Sequence, residues 1–227
     1  MTRYILAAAV AAALVCSGCG TSQDPTGPRK VFVEWDATGT INTVPGYREE
    51  VIRAVERFAV KRDEVFAAVI DGQPITTANI KSQSFALHAP GSEGGEIPGG
   101  IEAIGAGFAH DFVAGFGTPE TVLGSGQLQG LQIAANTPGV SEIYMWTDAI
   151  VNEAGFNLSI ATPAEIKTEI AYWKPKLANL ANKTVLLLGV GRGVHHATTV
   201  ERAHYLFAAL LQDDHGHLEW LQTLAQR

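Results

Sequence analysis

Cysteine is almost missing from this chain of 227 residues; the only two, Cys16 and Cys19, lie at its start. The body of the protein therefore carries no disulfide framework, and its fold must rest on a packed core. A chain of this length can bury enough apolar surface for that. Charge is also sparse, at 17% of residues, and leans acidic, with 16 Lys and Arg against 23 Asp and Glu. The formal net charge is −7, and no Lys/Arg-rich run interrupts it. That excludes an extended nucleic-acid surface and gives no overall attraction to an anionic membrane. Internal repeats are missing too. No segment supplies a nucleophile with a positioned base.

The chain does have a leader. Arg3 is followed by an apolar, small-residue run from Ile5 to Val15, too short to span a bilayer. Small residues come next, so residues 1–18 read as a secretory signal. The segment Cys16-Ser17-Gly18-Cys19-Gly20 resembles the bacterial lipobox, with Cys16 in the place where Leu is usual. That resemblance implies acylation of Cys19 as the new N-terminus and attachment to the outer face of a cell membrane through the acyl chains. An ordinary secretory signal with two incidental cysteines is the alternative. Losing Arg3 with the leader takes the net charge to −8. Residues 19–29 are rich in Gly, Ser, Thr, Asp and Pro and read as a flexible tether. Residues 30–227 then form one domain.

Within that domain, strand-like and helix-like segments alternate, which predicts an α/β fold with a mostly parallel sheet covered on both faces. Lys30–Trp35 is the first strand. Tyr47–Lys61 is helical, with Val51, Ile52, Val55, Phe58 and Ala59 on one stripe and a Glu49–Arg53 pair on its surface. Val65–Ile70 is a buried strand, and Ile80–Leu87 alternates as an antiparallel edge strand does. Helices are expected at Ile101–Ala114 and Leu128–Ala135, and a strand at Glu142–Thr147. Thr162-Pro163-Ala164-Glu165 is a capping box opening a helix that Pro175 kinks or ends. Thr184–Val190 is the last strand, Thr198–Gln212 the last long helix, and Leu218–Leu224 a short amphipathic tail.

The chemistry concentrates after the first strand. Asp36-Ala37-Thr38-Gly39-Thr40 sets an acid and two hydroxyls at alternate positions, where open α/β sheets bind ligands. Oxygen ligands of this kind suit a hard cation such as Mg²⁺. Asp148 ends a later strand, and Ser125 sits in a loop entering a helix. The plainer reading of Asp36 is an Asx-turn or helix cap. For Asp148 it is a strand-end turn, and for Ser125 a cap.

Together these residues resemble the von Willebrand factor A domain, over Lys30 to about Gln212. That family carries Asp-x-Ser-x-Ser after its first strand, a Thr from a loop before a helix, and an Asp after its fourth strand. Asp36, Thr38 and Thr40 match the first motif, with Thr in both hydroxyl positions. Asp148 matches the last, and Ser125 is the best match to the middle, with Gly126 where the family has Asp. Thr118 and Thr121 are alternatives. The resemblance implies a doubly wound, Rossmann-like domain binding Mg²⁺ (or Mn²⁺ or Ca²⁺). It also implies a protein partner whose acidic side chain completes the metal shell, and no enzymatic activity.

Other features are weaker. Asp36-Ala37-Thr38-Gly39-Thr40 is also similar to the phosphorylation motif of haloacid-dehalogenase-like phosphotransferases, in which Asp36 would be the nucleophile. Ala37 replaces the Lys of that motif, and no later Gly-Asp-x-x-x-Asp segment follows. A solute-binding lipoprotein is a third reading, for which the chain is short. Gly189-Val190-Gly191-Arg192-Gly193 follows the last strand, so it reads as a tight turn beside the ligand edge rather than a dinucleotide fingerprint. Arg192 there is a candidate partner contact. His204 falls on the inward stripe of the last helix and reads as a core or boundary residue. Trp35, Trp146 and Trp173 read as core.

Overall fold

The computed structural model describes residues 28–38, 44–70, 80–85, 100–114, 126–153, 155–193, 196–212 and 217–221. Their architecture is α/β, with a six-stranded, mostly parallel mixed sheet and five α-helices, compatible with a Rossmann-like fold. The strands are β1 (Lys30–Asp36), β2 (Glu64–Ile70), β3 (Lys81–Ser84), β4 (Val140–Trp146), β7 (Thr184–Leu188) and β8 (His217–Leu221), in the order β3-β2-β1-β4-β7-β8. A two-stranded hairpin, β5 (Asn152–Glu153) and β6 (Phe156–Asn157), stands apart from the sheet. Only β3 runs antiparallel, on the edge beside β2.

The continuous apolar runs become the interior of this sheet. In β1 every residue after Lys30 is buried, and β1 pairs in parallel with both β2 and β4. Alternate residues feed two core clusters, as the pleat demands. Val31, Val33 and Trp35 join Tyr47, Val51, Phe58 and Phe112 in one. Phe32 joins Leu128, Leu131, Ile166 and Phe207 in the other.

The helices follow their sequence signals. Helix α1 (Tyr47–Val60) starts after Gly46, which takes a left-handed φ of 77°, and carries Glu49 and Glu50 in its first turn. Those acids suit the positive end of the helix dipole. Helix α2 (Gly100–Ala114) packs closely on it: a Cβ added at Gly105 would lie 2.4 Å from the Ala59 Cβ. Helix α3 (Gln127–Asn136) leads into β4. The capping box at Thr162 forms in both directions and opens α4 (Pro163–Trp173). After Trp173 the chain tightens into a 3₁₀ segment, Lys174–Leu180, because Pro175 cannot continue the α-helical ladder. Helix α5 (Ala197–Leu211) precedes β8.

Several expectations need correction. Residues 218–221 of the supposed tail belong to strand β8, paired in parallel with β7. Strand β7 ends at Leu188 rather than Val190, because Gly189 turns the chain at φ 93°. His204 is exposed and stacks on Trp220, with ring centroids 4.1 Å apart. A planar imidazole gains more on that indole face than inside the helix stripe. Trp35, Trp146 and Trp173 are buried as expected. Cys19 and the rest of residues 1–27 lie outside the described residues.

Candidate metal centre

The parallel pairing of β1 with β4 brings their carboxyl ends to one edge of the sheet. Trp35 pairs with Trp146, so Asp36 and the Thr147-Asp148 pair emerge side by side. Both acids are buried, Asp36 completely and Asp148 to within 2%. The Asp36 carboxylate accepts four hydrogen bonds. Its Oδ1 takes the Thr38 backbone N–H at 2.9 Å and the Thr38 hydroxyl at 2.5 Å. Its Oδ2 takes the Gln127 amide and the Thr147 hydroxyl, both at 2.9 Å. Asp148 accepts the Ile150 N–H at 2.9 Å, and Thr147 Oγ1 accepts the Ala149 N–H at 3.0 Å. Ala149 holds a left-handed φ of 63°, a conformation costly for a residue with a Cβ. The Asx-turn reading of Asp36 and the strand-end turn reading of Asp148 are thus realised, and the same contacts fix the two carboxylates in place.

The electrostatics are those of acids crowded in a dry site. Burial first, and then the Asp148 charge, push the Asp36 carboxyl up to about 6, against the Thr38 and Thr147 hydrogen bonds that favour its charged form. Glu153 is pushed to about 7 by burial, although it accepts the Leu128 N–H at 2.9 Å and so caps the start of α3. Tyr47 opens α1, and its buried hydroxyl has no hydrogen-bond partner among the described residues. Burial, then the charges of Asp36 and Asp148, raise its pKa well above the ordinary phenol value. Gly189 makes room there: a Cβ on it would meet the Tyr47 ring at 3.3 Å. Arg192 is anchored to Glu50 of α1 at 3.0 Å, with its guanidinium 5.9 Å from the Tyr47 ring centroid.

Of the residues singled out in the sequence, Asp36, Thr38 and Asp148 converge here, and Arg192 lies on the rim. Thr40, Ser125, Thr118 and Thr121 lie outside the described residues. Gln127, Thr147, Tyr47 and Glu153 were not anticipated. Two of them stood in plain sight: Gln127 is two residues past Ser125, and Thr147 directly precedes Asp148.

Among the described residues no group of three or more His, Cys, Asp and Glu side chains could hold a metal ion. A site here would need hydroxyl and amide oxygens beside its two acids. The Gln127 Oε1 is buried with no hydrogen-bond partner among the described residues. The Thr38 hydroxyl gives its proton to Asp36 and keeps its lone pairs for another ligand. These donors are all oxygen, and they fit a hard divalent cation. No family model matches this chain, and no curated protein matches it.

Proposed function

We propose that this chain is a von Willebrand factor A-type binding module, doubly wound with helices on both faces of its sheet. In this reading it is carried on the outer face of a bacterial membrane by an acylated Cys19. Asp36, Thr38 and Asp148 hold a divalent cation, Mg²⁺ or else Mn²⁺ or Ca²⁺, and Thr40 and Ser125 complete the set. The observation that carries the reading is the burial of Asp36 and Asp148 together at the carboxyl edge of neighbouring parallel strands, close enough for one charge to raise the other's pKa. A bound divalent cation would supply the positive charge this pair lacks and a coordination position for an incoming acidic side chain.

The chain's own residues prepare that position. Thr147 and Gln127 pin Asp36 Oδ2, and the Asx-turns pin Oδ1 of both acids. Both acids are shielded from bulk water by their burial. Arg192, held by Glu50 at the rim, adds a second contact for an acidic partner. The partner is a protein, and the acidic surface does not suit nucleic acid. Phosphoryl transfer is disfavoured because Ala37 stands where that motif has its Lys, and no Gly-Asp-x-x-x-Asp segment follows.

Calorimetric titration with MgCl₂ or MnCl₂ tests the metal. The wild type is expected to bind one ion, and Asp36→Ala none, with both proteins folded by circular dichroism. Absence of binding heat from the wild type would sink the proposal.

A further inference from the structure

Arg53 and Arg57 of helix α1 and Lys61, which caps its C-terminus, lie four residues apart, so they form one line along its outer surface. All three are exposed, and none has an ion pair among the described residues. Val60, 50% exposed, lies beside the end of this line. Ala103 and Ala106 of α2 form the other wall of the groove, and Glu56 is the one acid among its lining residues. An acidic chain has gathered a strip of opposite sign on one flank.

The location of the strip matters as much as its sign. Helix α1 returns from the ligand edge to the opposite edge of the sheet. There Arg29 donates its N–H to Asp63 Oδ1 and accepts the Glu64 N–H at 2.7 Å. Lys61 therefore stands next to the point where the chain arrives from Cys19. The ten or so residues between Cys19 and Arg29 reach at most about 35 Å when extended. If Cys19 is lipidated, the strip is held within that distance of headgroups, at a high effective concentration.

We propose that Arg53, Arg57 and Lys61 rest on anionic phospholipid headgroups, with Val60 at the boundary of the acyl region, so that the domain docks on its own membrane with the metal centre turned away. This rests on the lipoprotein reading of Cys19. Each basic residue near an anionic surface favours docking roughly fivefold, and three together on the order of a hundredfold.

Both core clusters are built from residues 31–221, so a chain starting at Cys19 keeps the fold. That chain, whose one cysteine is Cys19, can be coupled through its thiol to maleimide lipid in vesicles of phosphatidylcholine, alone or with phosphatidylglycerol. Energy transfer from its tryptophans to dansyl-labelled lipid reports how close the domain lies. Transfer is expected to be higher on the anionic vesicles. The gain should vanish in about 0.5 M salt and in the triple variant Arg53→Gln, Arg57→Gln, Lys61→Gln, with an unchanged melting curve showing that the variant is folded. Equal transfer on both lipids for the wild type, or a triple variant that keeps the gain, overturns the proposal. The coupling is chemical, so the outcome does not depend on acylation in the cell. Failure of that reading shows separately, as no uptake of labelled fatty acid at Cys19.

Discussion

Glu34 lies on the central strand with no exposed surface, and neither carboxyl oxygen has a partner among the described residues. Burial, then the charges of Asp36 and Glu153, hold its pKa well above the ordinary carboxylate range. A buried polar group without a partner costs roughly 1–3 kcal/mol. Because the folded pKa exceeds the unfolded one, the protonated form favours the native state. That contribution is complete below the unfolded pKa and is lost as pH rises through the folded pKa. Glu34→Leu is expected to raise the urea midpoint at pH 5, and to raise it further at pH 8; an unchanged or lower midpoint would show that the carboxyl is satisfied. At this scale the sequence was only partly legible. Asp36, Thr38 and Asp148 could be found because alternation and strand ends mark them. Glu34 sat inside an apolar run and read as strand. Gln127 and Tyr47 reach the site only through the packing of α3 and α1, which no local spacing encodes.

The elements were more legible, because each carries a local signal. The Thr162 box, Pro175 and the buried runs of β1, β2, β4 and β7 all act within a few residues of themselves. Strand β8 was an exception, as were the short strands β5 and β6. His217-Leu218-Glu219-Trp220-Leu221 alternates over only five residues, and its strand state comes from β7, which gives it a partner. The contact of α1 with α2 offers a sharp test. An Ala in mid-helix normally gains about 1 kcal/mol over Gly. At Gly105 the new methyl would instead sit 2.4 Å from the Ala59 Cβ. Gly105→Ala is expected to destabilise the protein by about 1–3 kcal/mol in urea melts, the scale of overpacking in a close contact. A stabilised variant would mean that the two helices part easily.

For the whole molecule, the acids at the ligand edge set a pH dependence. Asp36 moves from 3.8 to about 6 and Glu153 from 4.5 to about 7. Both shifts are upward, so the protonated forms favour the native state, and metal-free stability is expected to fall as pH rises from about 4 to 7. A divalent ion at Asp36 favours its ionised form and is expected to flatten the Asp36 part of this slope while leaving the Glu153 part. Urea midpoints across that range, with and without MgCl₂, check both statements; identical curves would count against the metal. The α/β class was legible from the alternation of segments alone. The order of strands was not, because it depends on pairings between distant parts of the chain.

Those pairings have a kinetic side. Thr147 and Asp36 are 111 residues apart in sequence, yet they close the middle of the sheet, and β8 joins its far edge from the last residues of the chain. Loop closure over such separations is slow, and local contacts cannot substitute for it. The ligand edge therefore cannot assemble until β4 has been made, and the edge at β7 stays uncovered until β8 has been made. Completion of the described sheet therefore waits on its last strand, whatever the order in which the earlier elements form.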